Sequence, residues 1–333
     1  ESSSRREYVS SISRALRIPV KKAEEALSAK GRLMGSCLLK WSSGRKNEVE
    51  LKFLCSSIGE KLLNESLSAQ AIISEIVRPA GTTSLSIRDY PHIKNTLDVL
   101  IPYLREVLKS RKPGVNIYIH GAPGTGKTEL VRLLARVLRA PLFEVSFEDA
   151  EGHPVEGKNR LESLHAAQML LTKQKALLLL DEAEDVFRGE SIFARSLAEK
   201  SKAWMNKIFE NNRAPTFWVS NQVCGMDPAF LRRFDFVFEL QPPPRSQRVK
   251  TYQKICEYSA SDPLMQRIAE CEEVTPAIVA RAHDVATCAN QNGSSKDYES
   301  TFTQLIQNTL KAQGHDDSVI NSKYNRIPSI YEL

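Results

Sequence analysis

The stretch Gly121-Ala122-Pro123-Gly124-Thr125-Gly126-Lys127-Thr128 fits the pattern G-x-x-x-x-G-K-[ST]. Its surroundings give the pattern weight. The apolar run VNIYIHG at 115–121 leads into it, and apolar residues at helical spacing follow over about 126–139, so the sequence predicts strand, tight turn and helix. That order builds a phosphate cradle: glycines let backbone N–H groups curl around an anion, and the helix N-terminus adds the positive end of its dipole at the same point. Lys127 is placed to reach the β- and γ-phosphates of a nucleotide, and the Thr128 hydroxyl to ligate Mg²⁺. Glu129, the next side chain, is grouped with this nucleotide-contacting set.

A second cluster answers the first. Leu177 to Leu180 are four consecutive leucines, the pattern of a strand buried on both faces, and they deliver Asp181-Glu182 at its C-terminal end, where α/β sheets bind ligands. Carboxylates carried into such a place cost several kcal/mol unless paired or coordinated. Asp181 suits a Mg²⁺ held through water, and Glu182 suits a base that orients and deprotonates an attacking water.

Outward from these motifs, apolar runs alternate with amphipathic helices, the mark of a parallel α/β sheet. The strand candidates are 115–121, 142–147, 176–182, 216–221 and 236–240, with helices near 126–139, 158–174 and 195–211. The last strand, FVFEL, reads as buried, and just before it DPAFLRRFD (227–235) sets Arg232 and Arg233 among bulky apolar residues. Pro242-Pro243-Pro244 closes this layer. A helical stretch follows over about 245–290, then a helix at 300–313 and an irregular tail. Upstream, helical patterns at 5–16 and 20–27, a hairpin of SCLLKW (36–41) and EVELKFL (48–54), and a further helix over 58–77 give a small α+β domain of winged-helix order, with residues 78–84 as a linker. The expected domains are 1–80, an α/β nucleotide-binding domain at 85–244, a helical lid at 245–290, and a C-terminal helix and tail at 291–333.

GAPGTGKT, LLLLDEAE, WVSN and DPAFLRRFD, in this order and spacing, make residues of about 85–290 resemble the AAA+ ATPases, specifically the classical AAA type. The resemblance implies a five-stranded parallel P-loop sheet with flanking helices, a C-terminal helical lid, ATP and Mg²⁺ as cofactors, and a ring, usually hexameric, with ATP between neighbours. It also implies that Asn221 is a polar sensor that helps position the attacking water, against the alternative that it simply ends a strand. Arg232 and Arg233 stand where the family's arginines enter the ATP site of the next subunit; the local alternative pairs either with Asp227, Asp235 or Glu239. Arg281, in TPAIVARAHDVA, stands in a helix where some branches carry a second sensor arginine; the classical branch commonly lacks it, and the alternative is a surface or packing residue. One segment departs from the pattern: Glu148–Gly157 has no aromatic residue where polypeptide-threading members carry an aromatic loop. The order of modules is also similar to the N-terminal half of bacterial proteins with two AAA modules in tandem, so this chain, which begins at Glu1, is expected to be part of something longer.

Composition narrows the functional classes. The 333 residues are 41% hydrophobic and 26% charged, enough for a sizeable core. No run approaches the roughly 20 apolar residues of a membrane span, and ESSSRREYVSS is not a secretory leader; a cytoplasmic location is expected. Six dispersed cysteines and six dispersed histidines show no metal spacing. The net charge of +6 is concentrated early, with 14 Lys and Arg against nine Glu and no Asp in residues 1–80. The main expectation is an enzyme, a Mg²⁺-dependent ATPase completed at a subunit interface and coupled to remodelling of an unidentified protein partner. The alternative is an ATP-switched DNA-associated module using Lys21, Lys22, Lys30 and Arg32, countered by Glu24 and Glu25 on the same helix. A nucleotide-bound scaffold without turnover is the third reading, weakened because every hydrolytic motif is present.

Overall fold

The computed structural model describes residues 2–28, 31–35, 39–43, 49–53, 76–148, 154, 157–188, 205–206, 208–210, 212–222, 228–257, 261–290 and 295–315. These divide into two units. The first comprises 1–84, 96–120 and 128–239, and the second 85–95, 121–127 and 240–333.

The N-terminal part of the first unit has α1 (Ser2–Leu16), α2 (Val20–Leu27), α3 (Arg32–Gly35) and an antiparallel hairpin of β1 (Leu39–Ser43) and β2 (Val49–Phe53), with Trp41 opposite Leu51. Val9, Ala23, Leu27 and Leu39 form its small core. The first strand runs over Leu39–Ser43, against the expected 36–41; the helix expected at 58–77 lies almost wholly outside the described residues. The DNA-binding alternative gains nothing here. On α2, Lys21 and Lys22 share two turns with Glu24 and Glu25.

The sheet follows from two-sided burial. β3 (Val77–Pro79) precedes α4 (Lys94–Ser110), β4 (Asn116–His120), α5 (Lys127–Leu138), β5 (Leu142–Val145), α6 (Gly157–Leu170), β6 (Leu177–Leu180), α7 (Glu184–Arg188), β7 (Thr216–Ser220), the short α8 (Pro228–Leu231) and β8 (Phe236–Glu239). Every residue of β6 and β7 is buried, so helices cover both faces of the central strands. The strand order is β3-β5-β6-β7-β4-β8. β4, β5, β6, β7 and β8 are the five expected parallel strands. The sixth is a correction: Val77–Pro79, read from sequence as the end of a helix and the start of a linker, pairs antiparallel with β5. Three residues with Pro79 at the end give little strand signal, and proline is tolerated because this is an edge. A second correction concerns β8. It is the opposite edge, its residues alternate between half-buried and exposed, and Val237 is exposed.

The second unit is built around α9 (Arg245–Ile255), α10 (Asp262–Ile268), α11 (Pro276–Ala289) and α12 (Ser295–Ala312). Tyr252, Met265, Ile268 and Val279 share one core with Phe302, Ile306 and Leu310 of α12, so the helix set apart by the sequence reading packs with the lid helices. Arg248, 5% exposed, fastens α9 by donating Nη2 to the Ala269 carbonyl at 2.7 Å and Nη1 to the Pro243 carbonyl at 2.9 Å. Cys256 and Cys271 are buried free thiols and Cys288 an exposed one. No helix among the described residues is long and apolar enough to cross a membrane.

Candidate nucleotide site

β4 ends at His120, and the glycine-rich loop begins with the next residue. Gly121 has φ +150°, and a Cβ there would lie 2.4 Å from the Leu240 carbonyl oxygen; Gly124 has φ +77°, and its Cβ would lie 2.6 Å from Thr275 Oγ1. Neither place admits a larger residue. The Tyr90 hydroxyl donates to the Gly126 carbonyl at 3.3 Å, and the Thr125 hydroxyl to the Ala122 carbonyl at 2.9 Å. Lys127 is 7% exposed, and its ammonium donates to the carbonyls of Gly121 and Ala122, each at 2.9 Å. A buried ammonium on the backbone of a glycine-rich loop is chemistry that suits an anion. Next to Ala122, Gly124 and Thr125 lies a cavity of about 880 Å³, lined also by Thr275, Arg281 and Val285. Arg281 therefore faces the same space as the loop.

In the first unit, the parallel register sends the C-terminal ends of β6 and β7 the same way. The Thr128 hydroxyl donates to Asp181 Oδ2 at 2.6 Å. Asp181 Oδ1 in turn accepts the Glu182 backbone N–H at 2.9 Å, while Glu182 is itself exposed with φ +50°, a left-handed conformation uncommon for a residue with a side chain. Thr128 and Asp181 form a hydroxyl–carboxylate oxygen pair, the donor chemistry that suits Mg²⁺. Among the described residues no group of three or more His, Cys, Asp or Glu could hold a metal ion.

The remaining residues read from sequence are placed less directly. Glu129 forms an i,i+3 ion pair with Arg132. The Asn221 side-chain amide donates to Glu184 Oε1 at 2.9 Å. Burial pushes the Glu184 carboxyl up, but hydrogen bonds from its own backbone, Ser220 and Asn221 outweigh it and hold the group below the usual carboxylate range. In DPAFLRRFD, Phe230 and Phe234 turn into the core, so Arg232 and Arg233 are left exposed. Arg233 pairs with Glu210, a partner the sequence did not suggest. Asp235, one of the anticipated local partners, instead accepts the Tyr103 hydroxyl at 2.8 Å and the Asn116 N–H at 2.9 Å. Asp227 lies outside the described residues, as does most of 148–157.

Sequence reasoning missed Arg160, Glu184 and Tyr90. Arg160 on α6 is 3% exposed and donates to the Asp181 carbonyl at 2.6 Å, the Glu182 carbonyl at 3.3 Å and Asp185 Oδ2 at 2.8 Å. A single arginine in a helix gives no sequence signal for such a role.

Residues 117–242 match the family model described as "ATPase family associated with various cellular activities (AAA)". Among curated proteins the chain is 26% identical over 231 residues to "ATP-dependent zinc metalloprotease FtsH 1" of Symbiobacterium thermophilum, covering 65% of this chain and 38% of that one. It is 26% identical over 176 residues to "Spastin" of Naegleria gruberi, covering 49% and 33%. The chain thus spans well under half the length of these two relatives. Among solved structures, the FIGL-1 AAA domain in complex with ADP superposes with a TM-score of 0.53 at 17% identity, over 77% of this chain and 95% of that one, which shows a shared fold. From the loop and acid geometry, the sheet order and these matches together, residues 117–242 are an AAA ATPase domain.

Proposed function

We propose that this domain hydrolyses Mg²⁺-bound ATP and couples the cycle to remodelling of a protein partner, with the site completed by an arginine of a neighbouring copy. The observation that carries the reading is the Thr128–Asp181 contact of 2.6 Å, which fastens the residue after the loop lysine to the acid pair at the end of β6, beside an open Glu182. The loop amides and Lys127 bind the phosphate chain, the lysine exchanging two carbonyls for phosphate oxygens. Thr128 and Asp181 hold Mg²⁺, which when bound neutralises charge on the phosphate oxygens. Glu182 accepts the proton of the attacking water at its carboxylate oxygen. Asn221, bound to Glu184, places an amide at the end of the neighbouring strand, where it orients that water. Arg233 is occupied by Glu210 within its own chain. Arg232 has no ion pair among the described residues and is the better candidate to reach a neighbour's site, most simply in a homo-oligomeric ring.

The test is Glu182→Gln. The variant should bind ATP as tightly as the parent, measured by titration with a fluorescent analogue, while phosphate release falls by at least about 100-fold, the span of general-base catalysis. Unchanged turnover would remove Glu182 as the base and with it this reading.

A further inference from the structure

The geometry points to Arg160 as a positioning residue for the ATPase reaction, a clamp that sets the backbone of the acid pair and so the aim of Glu182. This rests on the hydrolytic reading above. Arg160 comes from α6, outside the motifs, yet it reaches the turn at three atoms: the Asp181 carbonyl, the Glu182 carbonyl and Asp185 Oδ2. Asp181 and Asp185 bracket the left-handed Glu182, at φ +50°.

The way the guanidinium is spent argues for this role over an ordinary buried ion pair. A structural Arg–carboxylate pair gains most from the parallel two-bond fork. Here the fork is not made. Arg160 Nε and Asp185 Oδ1 are both buried without a hydrogen-bond partner, and Nη2 goes to the carbonyl of Asp181 instead. Forgoing a charge-assisted bond in a nearly dry place is costly, and what it secures is the conformation of two consecutive peptide units. Left-handed backbone at a residue with a side chain persists only where the surroundings over-determine it. On the other side, Asp181 Oδ1 accepts the Glu182 N–H and the Ala183 N–H donates to the Val219 carbonyl at 2.8 Å. The peptide groups flanking Glu182 are thus held, while its side chain remains open to solvent. Asp185 is the anchor that keeps the guanidinium in place.

Two variants test the clamp, with Glu182→Gln run in parallel. Arg160→Lys keeps the charge but cannot serve both carbonyls and Asp185. Its kcat should fall about 30-fold, in the range expected when a catalytic group is misplaced by about an ångström. Affinity for the fluorescent ATP analogue with Mg²⁺ should stay within about twofold, because no phosphate contact is touched. Amide exchange of the 181–187 peptide should speed up about tenfold, consistent with loss of about one hydrogen bond. Asp185→Asn, which leaves both carbonyl bonds available, should show the same two effects at about fivefold. It decides the matter if Arg160→Lys does not fold. A folded Arg160→Lys with parental kcat and exchange would overturn the clamp, as would equal losses of affinity and kcat, which mark general packing. If Arg160→Lys does not fold, parental behaviour of Asp185→Asn overturns it. Full turnover in Glu182→Gln would instead strike the hydrolytic reading, while the exchange result still reports on the clamp.

Discussion

Lys127 shows how much of a site one residue can carry. Its ammonium is almost wholly withdrawn from water and held by the Gly121 and Ala122 carbonyls, so the charge is already desolvated before any phosphate arrives. A bond from such a cation to an anion is worth about 1.5–3 kcal/mol. Lys127→Ala should weaken nucleotide binding by about 10- to 100-fold, measured by titration with a fluorescent ATP analogue. Asn221 offers a pH-dependent case. Its amide helps hold the Glu184 carboxyl below the usual range, so the bond contributes stability above the unfolded carboxyl's pKa, and that contribution disappears as pH falls through the lower folded value. Asn221→Ala should therefore cost about 1 kcal/mol near neutral pH and progressively less towards pH 3, read from denaturant titrations at each pH. Lys127, Thr128 and Asp181 were legible in sequence because a phosphate loop and a buried strand each leave a local pattern. Arg160 and Glu184 were not, because their roles depend on contacts between separate elements; Arg160 and Asp181 are 21 residues apart.

At the scale of elements, the central strands could be read from burial on both faces; of the two edges, β8 was read as a strand but wrongly as a buried one, and β3 was not read at all. β6 is uniform leucine and entirely buried, whereas β8 carries apolar residues on an edge where alternate positions face solvent. β3 is too short for any periodicity. What joins strands to the arginine turn is a polar network that apolar patterning cannot reveal. Asn116, fully buried at the start of β4, donates Nδ2 to the Phe209 carbonyl at 2.9 Å and accepts at Oδ1 from Trp218 Nε1 at 3.1 Å and Asn212 Nδ2 at 3.0 Å. Its backbone N–H meets Asp235, immediately after Arg232-Arg233-Phe234. Asn116→Leu would strand several buried donors and acceptors, each costing about 1–3 kcal/mol, and should lower stability by about 3 kcal/mol in denaturant unfolding. In the lid core, burial pushes the Cys256 thiol up from 9.0 to about 11. The unfolded thiol ionises first, so this contribution is intact below pH 9 and is lost as pH rises from there towards 11. Cys256→Ala should flatten that part of the stability–pH curve, followed by thermal unfolding from pH 8 to 11.

For the whole molecule, the question is whether a single copy contains a complete catalytic set. The loop, Thr128, Asp181 and Glu182 all belong to one chain, but Arg232 projects from a turn whose apolar neighbours, Phe230 and Phe234, are anchored inward, and Arg233 is already engaged by Glu210. A guanidinium exposed by construction and without an ion pair among the described residues is suited to another surface. Arginines supplied to phosphoryl-transfer sites accelerate turnover by about 10³–10⁵ in other systems. Arg232→Ala should thus be nearly inactive, and Arg233→Ala should resemble Glu210→Ala, both losing far less if their shared role is to hold the turn. Mixing decides between the two geometries. Combining equal amounts of Arg232→Ala and Lys127→Ala pairs some intact loops with some intact arginines across interfaces, and random head-to-tail assembly completes about a quarter of the sites. Steady-state phosphate release should then recover towards that fraction, and the parent's specific activity should rise with protein concentration as rings form. If Arg232 served its own subunit, every site in the mixture would still lack one group, and mixing would restore nothing.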